Sequence, residues 1–192
     1  MWGVMFSPWS APFLNFWYSM SGAALLLWWM SGRLTPHFVK QFKVSAADIG
    51  VGIVSAALLW AIFYMGNLFS TLLFDFAAPQ VGDIYRMKEN QNILFIGVAL
   101  ALVIGPAEEV FWRGYLQRTL ALRYGKYRGF VAATLIYSLI HIWSFNFMLI
   151  MAAFVCGCFW GLLYLYRRSV TTNIISHALW DVAVFLVFPI GQ

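Results

Sequence analysis

Long apolar runs, interrupted by short polar segments, set the pattern of this chain. Six runs are long enough to span a bilayer, at roughly Pro12 to Met30, Ala47 to Phe74, Asn92 to Arg118, Phe130 to Trp143, Phe147 to Tyr166 and Val170 to Phe188. The pattern therefore predicts an all-α fold, a polytopic membrane helical bundle of about six transmembrane helices. The loops are too short for a soluble domain and no internal repeat is evident, so residues 1–192 read as a single integral membrane domain.

Composition agrees: 62% of the residues are hydrophobic and 10% charged, with 10 Trp and 18 Phe. The net charge of +5 would suggest nucleic acid on a soluble protein. Here its placement points to the lipid bilayer instead. Arg33, Lys40 and Lys43 follow the first run, Arg118, Arg123, Lys126 and Arg128 the third, and Arg167 and Arg168 the fifth. Six spans put all of these on one side, which by the positive-inside rule is the cytosol, with both termini outside. Arg86 and Lys88 fall in an opposite loop beside Asp83 and Glu89. The first apolar run has no preceding basic region, so a cleaved signal peptide is not expected. His37, with Pro36, Lys40 and Lys43, belongs to a surface-lying cytosolic loop. Cys156 and Cys158, at i and i+2, point in different directions on a helix and read as reduced packing residues.

Against this background few ionisable residues lie within the runs: Glu108, Glu109, Arg113, His141, His177 and Asp181. Glu108 is ten positions from Arg118, His141 thirteen from Arg128 and His177 nine from Arg168. At about 1.5 Å per residue these depths are roughly 14 to 20 Å, so three helices place titratable groups in one layer near mid-membrane. Buried charge there is costly and usually functional. Glu109 and Arg113 stand at i and i+4 and neutralise each other on one face. Glu108, turned about a hundred degrees away, has no such partner and is the candidate general base. His177 and Asp181 repeat the i,i+4 spacing, which suits a carboxylate that fixes the imidazole tautomer or shares its proton. Glu108, His141 and His177 also suit a catalytic zinc with one open position, and spacing leaves the two readings open. Gly157 and Gly161 form a small-xxx-small seam for close helix packing. Trp112, Trp143, Trp160 and Trp180 read as packing or interface residues.

In order and spacing, Glu108-Glu109-x-x-x-Arg113, Tyr137 four before His141, Gly157-x-x-x-Gly161 and His177-x-x-x-Asp181 resemble the CPBP (CAAX protease and bacteriocin-processing, or Abi) family of intramembrane proteases. That family includes the CAAX endopeptidases that trim prenylated proteins. The resemblance covers residues 92–188 as a catalytic core, with its site between spans 3, 4 and 6. Residues 1–76 supply two additional N-terminal spans. It implies a peptidase of a cell membrane that acts on a membrane-anchored or lipid-modified peptide, with no nucleic-acid partner and no cofactor. Glu108 would activate water with His141 as its partner, His177 and position 181 would stabilise the oxyanion, and Glu109, Arg113 and Tyr137 would support the site. The family often has Phe where Tyr137 stands, and Asn where Asp181 stands. An ionised Asp cannot donate to an oxyanion, so Asp181 must be protonated there or must instead orient His177. The alternatives are a zinc-dependent metalloprotease using the same residues, a proton-coupled transporter and a non-catalytic membrane protein. Neither the substrate's identity nor the oligomeric state is written in these residues.

Overall fold

A computed structural model of the chain describes every residue except Met1, Pro8, Ala11, Pro12 and Gln192, and the backbone alone of Trp2 and Gly3. The described residues form eight helices and no strand: α1 (Trp2–Phe6), α2 (Phe16–Leu34), α3 (Ala46–Leu73), α4 (Ala77–Arg86), α5 (Ile93–Tyr124), α6 (Lys126–Leu139), α7 (Phe147–Arg167) and α8 (Val170–Val187). Short 3₁₀ turns lie at Phe38–Gln41 and Ile142–Ser144. The protein is an all-helical membrane bundle. Four of its helices, α3, α5, α7 and α8, are long and apolar enough to cross a bilayer.

Two of the six expected spans differ from this measure. The first begins at Pro12 in the sequence pattern, a residue outside those described; its helix, α2, has 19 residues, among them several Trp, Tyr and Ser. The fourth, expected over Phe130 to Trp143, is the helix Lys126–Leu139, with only 14 residues. It ends early because His141 closes it. The His141 Nδ1–H donates to the carbonyl of Tyr137 at 2.9 Å, supplying from a side chain the bond that the next backbone N–H would have made. His141 thus sits in a turn and not on a helix.

Polar residues at helix starts define most of the other boundaries. Asn15, Ser45, Asn92, Asn146 and Ser169 each accept a hydrogen bond from the backbone of their own first turn, and Ser45 forms a capping box with Asp48. Helix α5 is continuous but not uniform. Its turns widen to π geometry at Leu100–Ile104 and Val110–Gln117, on either side of Gly105–Glu109. The Gly105 N–H bonds back to Leu100, five residues earlier, just before Pro106, which has no N–H to give. Such wide turns shift the angular register of the residues they flank, here Glu108 and Glu109.

Helix α8 packs chiefly on α3 and also on α5 and α7, while α6 lies against α5 and α7, and α2 against α5. The approach of α3 to α8 is close, since a Cβ on Gly52 would stand 2.7 Å from Ile175. Thr172 there donates to Asp48 at 2.7 Å, and Arg167 lies 3.6 Å from the same carboxylate. Two apolar clusters result. One joins Trp17, Met20 and Leu27 of α2 to Ile96, Leu100 and Ile104 of α5; the other joins Leu59, Trp112, Tyr137, Trp160 and Trp180. Phe111, Ile140 and Phe185 touch both. The outer surface is apolar: Leu72, Leu94 and Leu102 are 79%, 76% and 72% exposed. Against lipid such a surface is favourable.

Candidate active site

The two adjacent glutamates are buried but differ in their partners. Glu109 is fully enclosed. Its Oε1 accepts from Arg113 Nη1 at 2.7 Å and from His177 Nδ1 at 2.8 Å, and its Oε2 accepts from Asn173 Nδ2 at 3.1 Å. Arg113 in turn donates to the Cys156 carbonyl at 3.4 Å and lies over the rings of Tyr137 and Trp160. Every strong charge in this cluster is therefore paired, which a buried ion network requires. Glu108 has one hydrogen bond, accepted from the Tyr137 hydroxyl at 3.3 Å. Its other carboxylate oxygen is left for the cavity.

That cavity has a volume of about 450 Å³ and is lined by Glu108, Tyr137, His141, His177, Trp180 and Asp181 among largely apolar walls. Glu109 and Arg113 lie behind the wall and do not reach it. Residues from α5, from α6 and its following turn, and from α8 are thus brought to one volume. Gly105 allows the approach, because a Cβ there would stand 3.4 Å from the backbone nitrogen of Ala178 on α8.

Both imidazoles have defined orientations. A carbonyl oxygen can only accept, so His141 carries its proton on Nδ1 toward Tyr137 and leaves the Nε2 lone pair free. Phe6 of α1 packs against its ring at 5.0 Å. His177 likewise directs Nδ1–H to the Glu109 carboxylate, and its ring is stacked on Trp160 at 3.7 Å. Its Nε2 stands 3.5 Å from Asp181 Oδ2, a loose ion-pair distance rather than a short hydrogen bond. Trp160 is itself fixed, since its indole N–H donates to Ser176 at 3.1 Å and its carbonyl accepts from Asn173 at 2.8 Å.

Spacing alone ties Glu109 to Arg113 but does not reveal that Glu109 also holds His177. Asn173 was not anticipated either, nor was the role of α7, which contributes Trp160 and the Cys156 carbonyl. One signal was present in the sequence. Asn173, His177 and Asp181 recur at i, i+4 and i+8, a polar stripe along one face of the helix. Gly157 and Gly161 do pack closely: a Cβ at either would stand within 3.2 Å or less of Tyr137 or Phe130. Cys156 and Cys158 are free thiols. His37 is exposed.

Among the described residues no three His, Cys, Asp or Glu side chains are grouped so as to hold a metal ion. Glu108, His141 and His177 line one cavity, and both imidazoles hold Nδ1–H on a protein acceptor and leave Nε2 as the other ring nitrogen.

Residues 90–183 match the family model described as Rce1-like, type II CAAX prenyl endopeptidase Rce1-like. No curated protein matches the chain and no solved structure does.

Proposed function

We propose, since residues 90–183 match the Rce1-like type II CAAX prenyl endopeptidase model, that this protein is a glutamate-type intramembrane endopeptidase. It hydrolyses a peptide bond of a membrane-anchored or lipid-modified protein. Glu108 takes a proton from a water molecule, and the water oxygen attacks the scissile carbonyl carbon. His141 Nε2, with its lone pair toward the cavity, orients that water by accepting its second hydrogen. The carbonyl oxygen takes the negative charge and is stabilised by the Nε2–H of His177 in its protonated form, whose ring is held by Glu109 and Trp160. Collapse of this intermediate breaks the C–N bond, and the proton held by Glu108 passes to the leaving amine. Asp181 keeps His177 in place in this scheme and is not itself the oxyanion donor.

One observation carries the reading: of two adjacent buried carboxylates, Glu108 alone faces the cavity with an oxygen free of any cation. Its apolar walls suit a substrate arriving from the bilayer. The test compares membrane peptides that accumulate in cells carrying the wild type and the Glu108→Ala form, with Glu108→Gln assayed as purified protein. Loss of a general base should lower cleavage by about 10³-fold or more at an unchanged Tm. Retained cleavage in either variant would sink the assignment of Glu108. Cleavage that a chelator abolishes, with stoichiometric zinc in the purified protein, would replace it by the metalloprotease reading.

A further inference from the structure

A second cavity, of about 560 Å³, opens at the end of the bundle where α5 and α7 finish and α6 and α8 begin. Basic side chains reach it from four separate segments. His37 and Lys40 come from the link between α2 and α3, Arg118 from α5, Lys126 from the first position of α6 and Arg168 from the cap of α7; Tyr164 adds a phenol. None of its described lining residues is acidic. The ion pairs among the described residues lie elsewhere: Arg86 with Asp83, Arg113 with Glu109, Arg167 with Asp48, and His177 with Glu109 and Asp181. Lys40, Arg118, Lys126 and Arg168 thus face one volume without a counter-ion.

The positive-inside rule accounts for these residues sharing a side of the membrane, but not for their sharing a concavity. Solvated like charges lower their repulsion by pointing apart. The start of α6 adds to the same field. Whereas α2, α3, α5, α7 and α8 begin with a side-chain cap, α6 is preceded by Gly125, with φ +90° and no side-chain cap. Its first-turn N–H groups add partial positive charge beside Lys126. The cavity also lies at the ends of membrane-spanning helices, the level of lipid headgroups. Leu122, 81% exposed, borders it and offers an apolar flank for an acyl chain.

We infer that this cavity binds the phosphate of an anionic lipid headgroup. The site stands apart from the cavity of Glu108 and does not depend on the peptidase reading.

Purified protein in detergent is titrated with phosphatidylglycerol, with phosphatidylcholine and with inorganic phosphate while Tm is followed. The wild type should gain about 3 °C or more with phosphatidylglycerol and little with phosphatidylcholine. Arg118→Gln with Lys126→Gln should raise the phosphatidylglycerol concentration needed by about 25-fold, at about fivefold per charge. Arg123→Gln with Arg128→Gln removes the same charge outside the cavity and should leave the titration unchanged. Equal loss in both double variants would overturn the proposal in favour of diffuse surface attraction. An equal gain with inorganic phosphate would overturn the lipid as the source. If the first double variant is unfolded without lipid, Lys126→Gln alone, at an exposed position, serves for the comparison and should shift the titration about fivefold.

Discussion

A carboxylate that accepts from Arg113, His177 and Asn173 at once cannot be removed without leaving Arg113 charged, buried and unmatched. Glu109→Ala should therefore cost about 3–5 kcal/mol of stability. For a chain of this size that lowers Tm by on the order of 10 °C, measurable by thermal unfolding in detergent. A Tm close to the wild type's would show that water or lipid reaches Arg113. Glu108 has no cation to strand, so Glu108→Ala should leave Tm nearly unchanged, and the two neighbours should separate cleanly by this measurement. Tyr137 tests the same carboxylate more gently. Its hydroxyl donates to Glu108 at 3.3 Å, and losing a bond to a charged group of that length should slow turnover by about 3- to 10-fold in Tyr137→Phe. The loss should appear in kcat and not in KM, because the phenol acts through Glu108. An unchanged kcat would show that the hydroxyl does not position the base.

At the scale of helices, the closest approach in the bundle decides where a methyl group does most harm. A Cβ on Gly129 of α6 would stand 2.3 Å from the backbone nitrogen and 2.5 Å from the Cα of Ala121 on α5. Backbone cannot step aside, so Gly129→Ala should push α6 from α5, lower Tm and, by moving Tyr137 and His141, slow cleavage. Gly157→Ala meets the Thr134 and Tyr137 side chains at 3.2 Å, which can give by a few tenths of an ångström, so its Tm should fall far less. If Gly157→Ala proved the more damaging of the two in parallel melts, the seam read from the sequence would be the tighter one after all. Helix existence was legible because long apolar runs and Asn or Ser caps are local signals. The Glu109 and Arg113 pair was legible for the same reason, four residues being one helical turn. What was hidden depended on helix phase. The π turns on both sides of Gly105–Glu109 shift which side of α5 meets α8, and no periodicity based on 3.6 residues reports that Glu109 reaches His177. His141 was hidden by a helix end: a depth counted along α6 assumes that the helix continues, whereas the imidazole itself closes it.

For the whole molecule, both cavities take their meaning from the bilayer around the bundle. Lys40, Arg118, Lys126 and Arg168 gather at one end, and the reading that this end is cytosolic follows from charge alone. A single Cys placed at Lys40 should react with an impermeant thiol reagent in inverted vesicles and not in intact cells; the opposite pattern would reverse the orientation. The embedding itself has a sharper test. Leu58 is 54% exposed near the middle of α3, a helix of 28 residues, whereas Val39 is 80% exposed in the basic segment between α2 and α3. In a soluble bundle either side chain could become Arg at little cost, because both point outward. In a membrane they differ: Arg at the centre of a spanning helix costs about 2.5–3.5 kcal/mol, and Arg beside other cations at the headgroup level costs close to nothing. Leu58→Arg should therefore reduce the amount of membrane-inserted protein severalfold, read as the alkali-resistant membrane fraction. Val39→Arg should match the wild type. Equal tolerance of the two substitutions would mean that the outward face of α3 meets water or protein rather than lipid, and the apolar cavity beside Glu108 would then lack the lipid-side access that the proposed substrate needs.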